Sequence, residues 1–369
     1  MTRTKKILGA AALVLVAGIA ALAVAVSRDA PCGPSAPLAS GVPTMKAIIH
    51  PCYGKADVLR YEDVAVPRPG DHEVLVEVRA VALNPLDWHY MTGTPYIMRL
   101  NSGLGRPKSD RLGVDFAGVV AAVGPAVTRF KPGDEVLGSR FGAFAEYAVV
   151  AEDRALVPKP PRLSFEQAAA VPVAAITALQ GLRDKGSLRS GQSVLVVGAS
   201  GGVGTFAVQV ARALGAQVAA VVSTRNLELA RSLGADQVID YTQEDFTRSG
   251  RRYDLVFTVN GYHPIQDYRR TLTPQGRYLM AGMSKEHILD GMFQSMIVGP
   301  LISKKDGQKF GFMGIAHITP QDLEVLAGWM AEGKLNPVIE KRYPLSQTAE
   351  ALRYLGTGHV QGKLVITVA

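Results

Sequence analysis

The residues best placed to do chemistry lie at 193–204, which read Ser-Val-Leu-Val-Val-Gly-Ala-Ser-Gly-Gly-Val-Gly. A valine-rich apolar run meets a glycine turn, and a helical pattern follows over residues 205–214 up to Gly215. A second apolar run occupies 217–222. That order predicts strand, turn, helix and strand, the βαβ unit that takes a dinucleotide pyrophosphate. The glycines let backbone approach phosphate oxygens, and the helix N-terminus offers open N–H donors and partial positive charge. The spacing is Gly-x-x-Gly-Gly-x-Gly, one residue longer than Gly-x-Gly-x-x-Gly. No Gly-Lys-Ser/Thr follows, which excludes a nucleotide-triphosphate P-loop. The bland alternative is a glycine turn that binds nothing.

The tip of the second strand decides which dinucleotide. A site for NAD places an acid about 20 residues on, to bond the ribose 2′-hydroxyl. Here the tip reads Val222-Ser223-Thr224-Arg225-Asn226, with no acid. Ser223 and Thr224 offer hydroxyls and Arg225 a fixed positive fork suited to a 2′-phosphate. NADP(H) is therefore expected over NAD(H), unless Arg225 is an ordinary solvated charge. Tyr241, after the short strand at 237–240, either stacks near adenosine or packs.

These elements need a frame. The chain has 369 residues, room for two domains, and a net charge of +8. Setting aside Arg3, Lys5, Lys6, Arg28 and Asp29 leaves +5 on residues 45–369, with no basic block. That argues against a nucleic-acid partner. The two cysteines, Cys32 and Cys52, form no Cys-x-x-Cys, so no redox dithiol or cysteine zinc lobe is available. A Cys32–Cys52 disulfide requires an extracytoplasmic domain and is not expected.

Residues 1–44 stand apart. Lys5-Lys6 precedes twenty uncharged residues at 7–26, long enough as a helix to cross a bilayer core of about 30 Å. The rival is a signal peptide cut after Ala23-Val24-Ala25, but the apolar core is long for one. The expectation is an N-terminal transmembrane helix acting as a single-pass membrane anchor, with 27–44 as a linker rich in Pro, Gly and Ser. The positive-inside rule then puts the globular part outside the cytoplasm, where free NADPH is not supplied. The alternative is a cytoplasmic protein starting at Met45, which opens the strand-like Met45-Lys46-Ala47-Ile48-Ile49.

Residues 45–165 read as β-rich. Residues 73–80 alternate with period two, 113–120 and 142–149 are short strands beside glycines, and Lys131-Pro132-Gly133-Asp134 is a turn. From Phe165 the pattern changes to alternating helix and strand, with a helix over 165–182 and strands at 253–259 and 276–281. Asn260-Gly261 closes the first of these strands, where ligands of parallel sheets bind.

In this order, residues 45–369 resemble the medium-chain dehydrogenase/reductase superfamily, nearest its zinc-free quinone-oxidoreductase branch. The segments that carry the likeness are Met45-Lys46-Ala47, Val81-Ala82-Leu83-Asn84-Pro85-Leu86-Asp87, residues 113–120, 130–136, 143–147 and 198–204, and Gly362-Lys363-Leu364-Val365-Ile366. The resemblance implies an α/β protein: a GroES-like β-barrel domain at 45–165, completed by about 310–369, and a Rossmann domain with a doubly wound parallel sheet at 166–309. It also implies cofactor contacts from Thr177, from Gly201, Gly202 and Val203 on the pyrophosphate, from Ser223, Arg225 and Tyr241 around the 2′-phosphate, and from Lys363. The alternative for Lys363 is a solvated strand-end lysine. Relatives suggest a homodimer.

Zinc-dependent members carry Cys where this chain has Asn84, and Gly-His-Glu at Gly113-Val114-Asp115, with a further ligand near Val173-Ala174. Asn, Val and Ala do not replace those donors, so no metal is expected. Without a Lewis acid, the fitting chemistry is hydride transfer from NADPH to a quinone or to the β-carbon of an enone, with hydrogen-bond donors taking the charge that develops on oxygen. The candidate catalytic residues are Asn84, as a neutral donor, Asp87 and Tyr96, with His89 and Tyr90 beside them. Tyr96 falls one place late because Pro95 follows Gly93-Thr94. Each has a structural alternative: Asp87 as a helix cap, the others as packing. Other functions with the same cofactor are enoyl-thioester reduction and a non-catalytic, membrane-tethered NADPH sensor. Met283, Met292, Phe293, Met296, Phe310 and Phe312 line an apolar mouth, fill core or form a dimer edge.

Overall fold

The computed structural model describes residues 17–18, 20–35, 37–282 and 287–369. Most of the segment at 7–26, expected as a membrane anchor, lies outside them. Among the described residues no helix is long and apolar enough to cross a membrane.

Two large sheets and a two-stranded pair divide the described residues. The first is built on β3 (Glu73–Ala82), whose alternate residues Val74, Val76, Val78 and Ala80 are buried. It pairs antiparallel with β4 (Asp115–Val123), which pairs in turn with β5 (Glu135–Ser139). β6 (Tyr147–Ala151) lies on the free length of β3 and β7 (Leu156–Pro158) on β5. β1 (Thr44–Ile49) and β2 (Arg60–Ala65) form a separate antiparallel pair. The chain returns at its end: β14 (Ile339–Pro344) and β15 (Lys363–Thr367) are parallel to each other, and β15 joins the other side of β3.

The second sheet has six parallel strands. Between β8 (Ser193–Val197), β9 (Gln217–Val222), β10 (Gln237–Asp240), β11 (Tyr253–Thr258), β12 (Leu272–Met280) and β13 (Lys309–Phe312), the spatial order is β10-β9-β8-β11-β12-β13. β8 and β11 are neighbours although two strands separate them in sequence. The order reverses there, which opens a crevice at their carboxyl ends. β13 takes the dinucleotide sheet to Phe312, just past the boundary expected at 309. The helix expected over 165–182 is two helices, Phe165–Ala169 and Pro172–Leu179, because Pro172 has no N–H to continue the first.

Cys32 and Cys52, not expected to pair, are joined in a disulfide with Cα atoms 4.8 Å apart. The physical reason is that residues 27–35, within the segment 27–44 expected as a linker, lie on the barrel. The Ala30 N–H donates to the Gly105 carbonyl at 2.8 Å, and the Ser35 hydroxyl to the Glu62 carboxylate at 2.6 Å.

The βαβ turn tolerates no side chain at one key point. A Cβ on Gly204 would lie 2.1 Å from the Gly198 carbonyl oxygen. Gly204→Ala is expected to lower stability by about 1–3 kcal/mol through overpacking. A urea melt of the variant checks this, and an unchanged midpoint refutes it.

Candidate functional site

The crevice between β8 and β11 opens into a cavity of about 630 Å³ whose walls include Val197, Gly198, Tyr241, Asn260 and Tyr262. Gly198 turns the chain at φ +84°, and a Cβ there would meet Asn260 at 2.8 Å. Asn260 thus stands just past the end of β11, against the turn. Gly201 precedes the helix Gly202–Ala213, and Gly202 and Val203 open it. The first N–H groups of a helix have no partner inside it, so the turn presents donors where a pyrophosphate would sit. A cradle that excludes Cβ atoms and adjoins a cavity of this size fits a dinucleotide.

The far rim is held by side chains. Asn226 is buried and donates to the hydroxyls of Ser200 at 3.0 Å and Ser223 at 3.1 Å, while its oxygen accepts from Gln361 at 3.0 Å. Arg225 is exposed and donates to the His359 carbonyl at 2.6 Å. Ser223 and Arg225 are therefore both tied to the rim, and the returning segment 359–361 fixes its shape. Tyr241 is 59% exposed. Asp240, which the local sequence does not mark, ends β10 and accepts from the Thr224 hydroxyl at 2.6 Å and the Thr242 hydroxyl at 2.7 Å. The Thr224 bond is the main cause that holds its carboxyl below the usual range.

Below the other end of the cleft is a floor of buried polar groups. The Lys363 Nζ donates to the Asn84 side-chain oxygen at 2.6 Å and to the Leu83 carbonyl at 2.8 Å. Its stem runs under the glycine turn, where a Cβ on Gly202 would come within 3.1 Å of the Lys363 Cδ. The Asn84 amide donates to Asp115 at 2.9 Å. Asp115 also accepts from the Val173 N–H at 3.1 Å, in the first turn of the helix that carries Thr177. The Thr177 hydroxyl donates back to the Val173 carbonyl at 2.7 Å. Asp87 accepts from the backbone N–H of Asn84 at 2.8 Å and of Gly113 at 3.2 Å, pinning the start of the helix Pro85–Thr92.

All four floor residues are almost wholly buried. Burial pushes Asp87 up to about 7, against the pull of the Asn84 N–H. Burial pushes Asp115 up to about 6, against the Lys363 charge and the Asn84 amide. Burial also pulls Lys363 down, and the two carboxylates oppose that. The structure thus brings Asn84, Asp87 and Lys363 together, with Lys363 directed into the floor rather than left solvated at a strand end.

Tyr96 lies outside this network. It is 45% exposed, in the single turn Tyr96–Met98, and its ring packs under the Arg99 guanidinium at 4.7 Å. His89 Nδ1 is 2.6 Å from the Thr94 carbonyl, and Tyr90 packs edge-on against Phe141. Of the apolar group near the end of the second sheet, Phe310 is buried, Phe293 and Met296 are more than half exposed, and Met283 lies outside the described residues. Arg99 escaped the sequence reading altogether, because nothing local marks an arginine that folds inward.

The residues do not fit a zinc ion. The Lys363 ammonium bonds Asn84, where a metal ligand is wanted, and among the described residues no group of three or more His, Cys, Asp or Glu could hold a metal. Lys363→Met keeps the stem and removes the charge. It is expected to lower stability by about 3–5 kcal/mol, the cost of an unpaired buried charge. The sign with pH follows from the raised carboxyls: below about pH 6 both are protonated and the loss shrinks, and above about 7 both are ionised and it is largest. Urea melts of both proteins at pH 5.5 and 8 check this; equal losses at the two pH values refute it.

Comparison with known proteins agrees with this anatomy. The family described as "Alcohol dehydrogenase GroES-like domain" matches residues 70–161, and "Zinc-binding dehydrogenase" matches residues 233–366. A 2-methylene-furan-3-one reductase of Solanum lycopersicum is 35% identical over 87% of this chain and 79% of its own length. An NADPH-dependent alkenal/one oxidoreductase of Arabidopsis thaliana is 34% identical over the same shares, 87% and 79%. The solved structure of the quinone oxidoreductase from Coxiella burnetii superposes with a TM-score of 0.76 at 30% identity, over 89% of this chain and all of that one. The metal in the second family's description is one this chain's own residues do not accommodate. With its barrel, its six-stranded dinucleotide sheet and the floor between them, the chain belongs to the medium-chain dehydrogenase/reductase superfamily, in the quinone-oxidoreductase-like group.

Proposed function

We propose that this chain is an NADPH-dependent, zinc-independent oxidoreductase that reduces quinones or α,β-unsaturated carbonyls. The observation that carries the reading is the meeting of a dinucleotide cleft with a floor that holds an ammonium instead of metal ligands. The relatives named as alkenal/one and quinone oxidoreductases support the substrate class. NADPH, when bound, supplies the hydride.

The residues divide the remaining work. Gly201, Gly202 and Val203 receive the pyrophosphate, while Ser223 and Arg225 receive the 2′-phosphate, with Tyr241 beside the adenosine. Asp240 is bonded to Thr224 and Thr242, so its charge is partly answered before a phosphate arrives. Asn84 has its amide committed to Asp115 and its oxygen to Lys363. Its role is to hold the floor, with Asp87 and Lys363, under the nicotinamide and the acceptor. Thr177 and Asn260 flank the nicotinamide half. Tyr96, half exposed, is the candidate donor to the acceptor oxygen. Residues 7–26 anchor the protein in a membrane, which favours a lipid-soluble acceptor such as a quinone, and the active form is a homodimer.

The test is NADPH consumption against a panel of quinones and enones, with NADH in parallel and EDTA present. Turnover that EDTA leaves unchanged is expected; loss in EDTA refutes the metal-free reading. Arg225→Gln is expected to lower kcat/KM for NADPH about 10–100-fold, the worth of a charge-assisted phosphate contact, and to leave NADH turnover nearly unchanged. An equal fall with both cofactors refutes the 2′-phosphate role.

A further inference from the structure

Residues 26–35 are held against the barrel by more than the disulfide. Arg99 is only 1% exposed although it opens the short helix Arg99–Ser102, whose other face is solvated. Its Nη1 donates to the carbonyls of Val26 at 3.1 Å and Arg28 at 3.2 Å, and meets the Asp29 carboxylate at 2.8 Å. Its Nε and Nη2 donate to Gly93 at 2.8 Å and Thr92 at 3.3 Å. The guanidinium therefore bridges the end of the N-terminal apolar segment and the loop that carries Tyr96. Tyr53, next to Cys52, stacks on Arg99 at 4.3 Å and donates to the Gly103 carbonyl at 2.9 Å. Cys32–Cys52 closes the same clasp a few residues on.

The loop so clasped is apolar on its open side. Ile97, Leu100 and Leu104 are 59%, 43% and 55% exposed, and Leu22 and Val24 in the helical turns before the clasp are about as open. Arg106 and Lys108, also exposed, follow in the loop. Apolar side chains rimmed by basic ones, where a membrane-length apolar segment ends, match a bilayer surface with anionic headgroups.

We propose that the Cys32–Cys52 disulfide and the buried Arg99 lock residues 26–35 into a fixed stalk that seats the 96–104 loop on the lipid surface that residues 7–26 anchor it to. The proposal rests on the anchor reading above. The two thiols give up two protons and two electrons to the disulfide of a dithiol-exchange oxidant, which leaves as its dithiol. The stalk fixes which side of the barrel meets the bilayer, and that side carries the Tyr96 loop.

Three experiments on the full chain test this. Membranes carrying it are denatured without reductant and treated with a polymer-linked maleimide. No adduct is expected until a reductant is added, after which Cys32 and Cys52 both react. Labelling of both before reduction overturns the clasp. The chain is then reconstituted in vesicles of phosphatidylcholine and phosphatidylglycerol, and Leu100→Trp is compared with the parent protein. Brominated lipid is expected to quench most of the added emission. An anchored chain whose added emission is unquenched overturns the seat alone; a chain that does not stay with the vesicles overturns the seat together with the anchor. Hydrogen exchange over residues 96–104 reads the same contact without a substitution: slower exchange in vesicles than in detergent supports it, and equal exchange overturns it.

Discussion

One buried charge organises this molecule. Lys363 reaches the floor of the cleft from the last strand of the chain, and its ammonium bonds groups almost three hundred residues earlier. Leaving a charge without water is costly unless donors and partners answer it. Here the Leu83 carbonyl, the Asn84 oxygen and two nearby carboxylates do so. The requirement fixes the ends of three elements at once: the start of the Pro85–Thr92 helix, the start of β4 at Asp115, and the first turn of the Pro172–Leu179 helix. The cleft has a defined floor because that charge must be satisfied.

The same returning segment also shapes the cofactor side. Gly362 lies alongside Gly201, and its N–H donates to the Ser200 carbonyl at 2.8 Å. His359 and Gln361 hold Arg225 and Asn226. A short stretch of chain therefore sets the glycine turn, the Ser223–Asn226 rim and the buried floor relative to one another. Hydride transfer needs the donor and acceptor carbons in close and aligned contact, and this stretch ties the two sides of the cleft together. Here the Lys363 ammonium and its hydrogen-bonded neighbours form a fixed, charged floor beneath that stretch.

Much of the fold was legible in the chain itself. The glycine pattern and its flanking apolar runs located β8, β9 and the helix between them nearly residue by residue, because buried parallel strands are continuous apolar runs and φ-positive turns demand glycine. The absence of an acid after Val222 and the presence of Arg225 are likewise sequence facts with a direct electrostatic meaning. The single helix expected over 165–182 went astray at Pro172, where apolar periodicity outweighed the missing N–H.

What sequence alone determined is the dinucleotide unit and the two-domain order, since these rest on local spacing and residue type. Only the tertiary structure decided the rest. Lys363 reads locally as a strand-end lysine and becomes the floor's charge because β15 pairs with β3. Asp240 lies far from Thr224 in the chain and meets it because β9 and β10 are adjacent. Arg99 and Cys32 look like solvated loop residues until the barrel brings residues 26–35 and 92–104 together. Each of these depends on partners distant in sequence, and no local periodicity encodes a contact made by strand order.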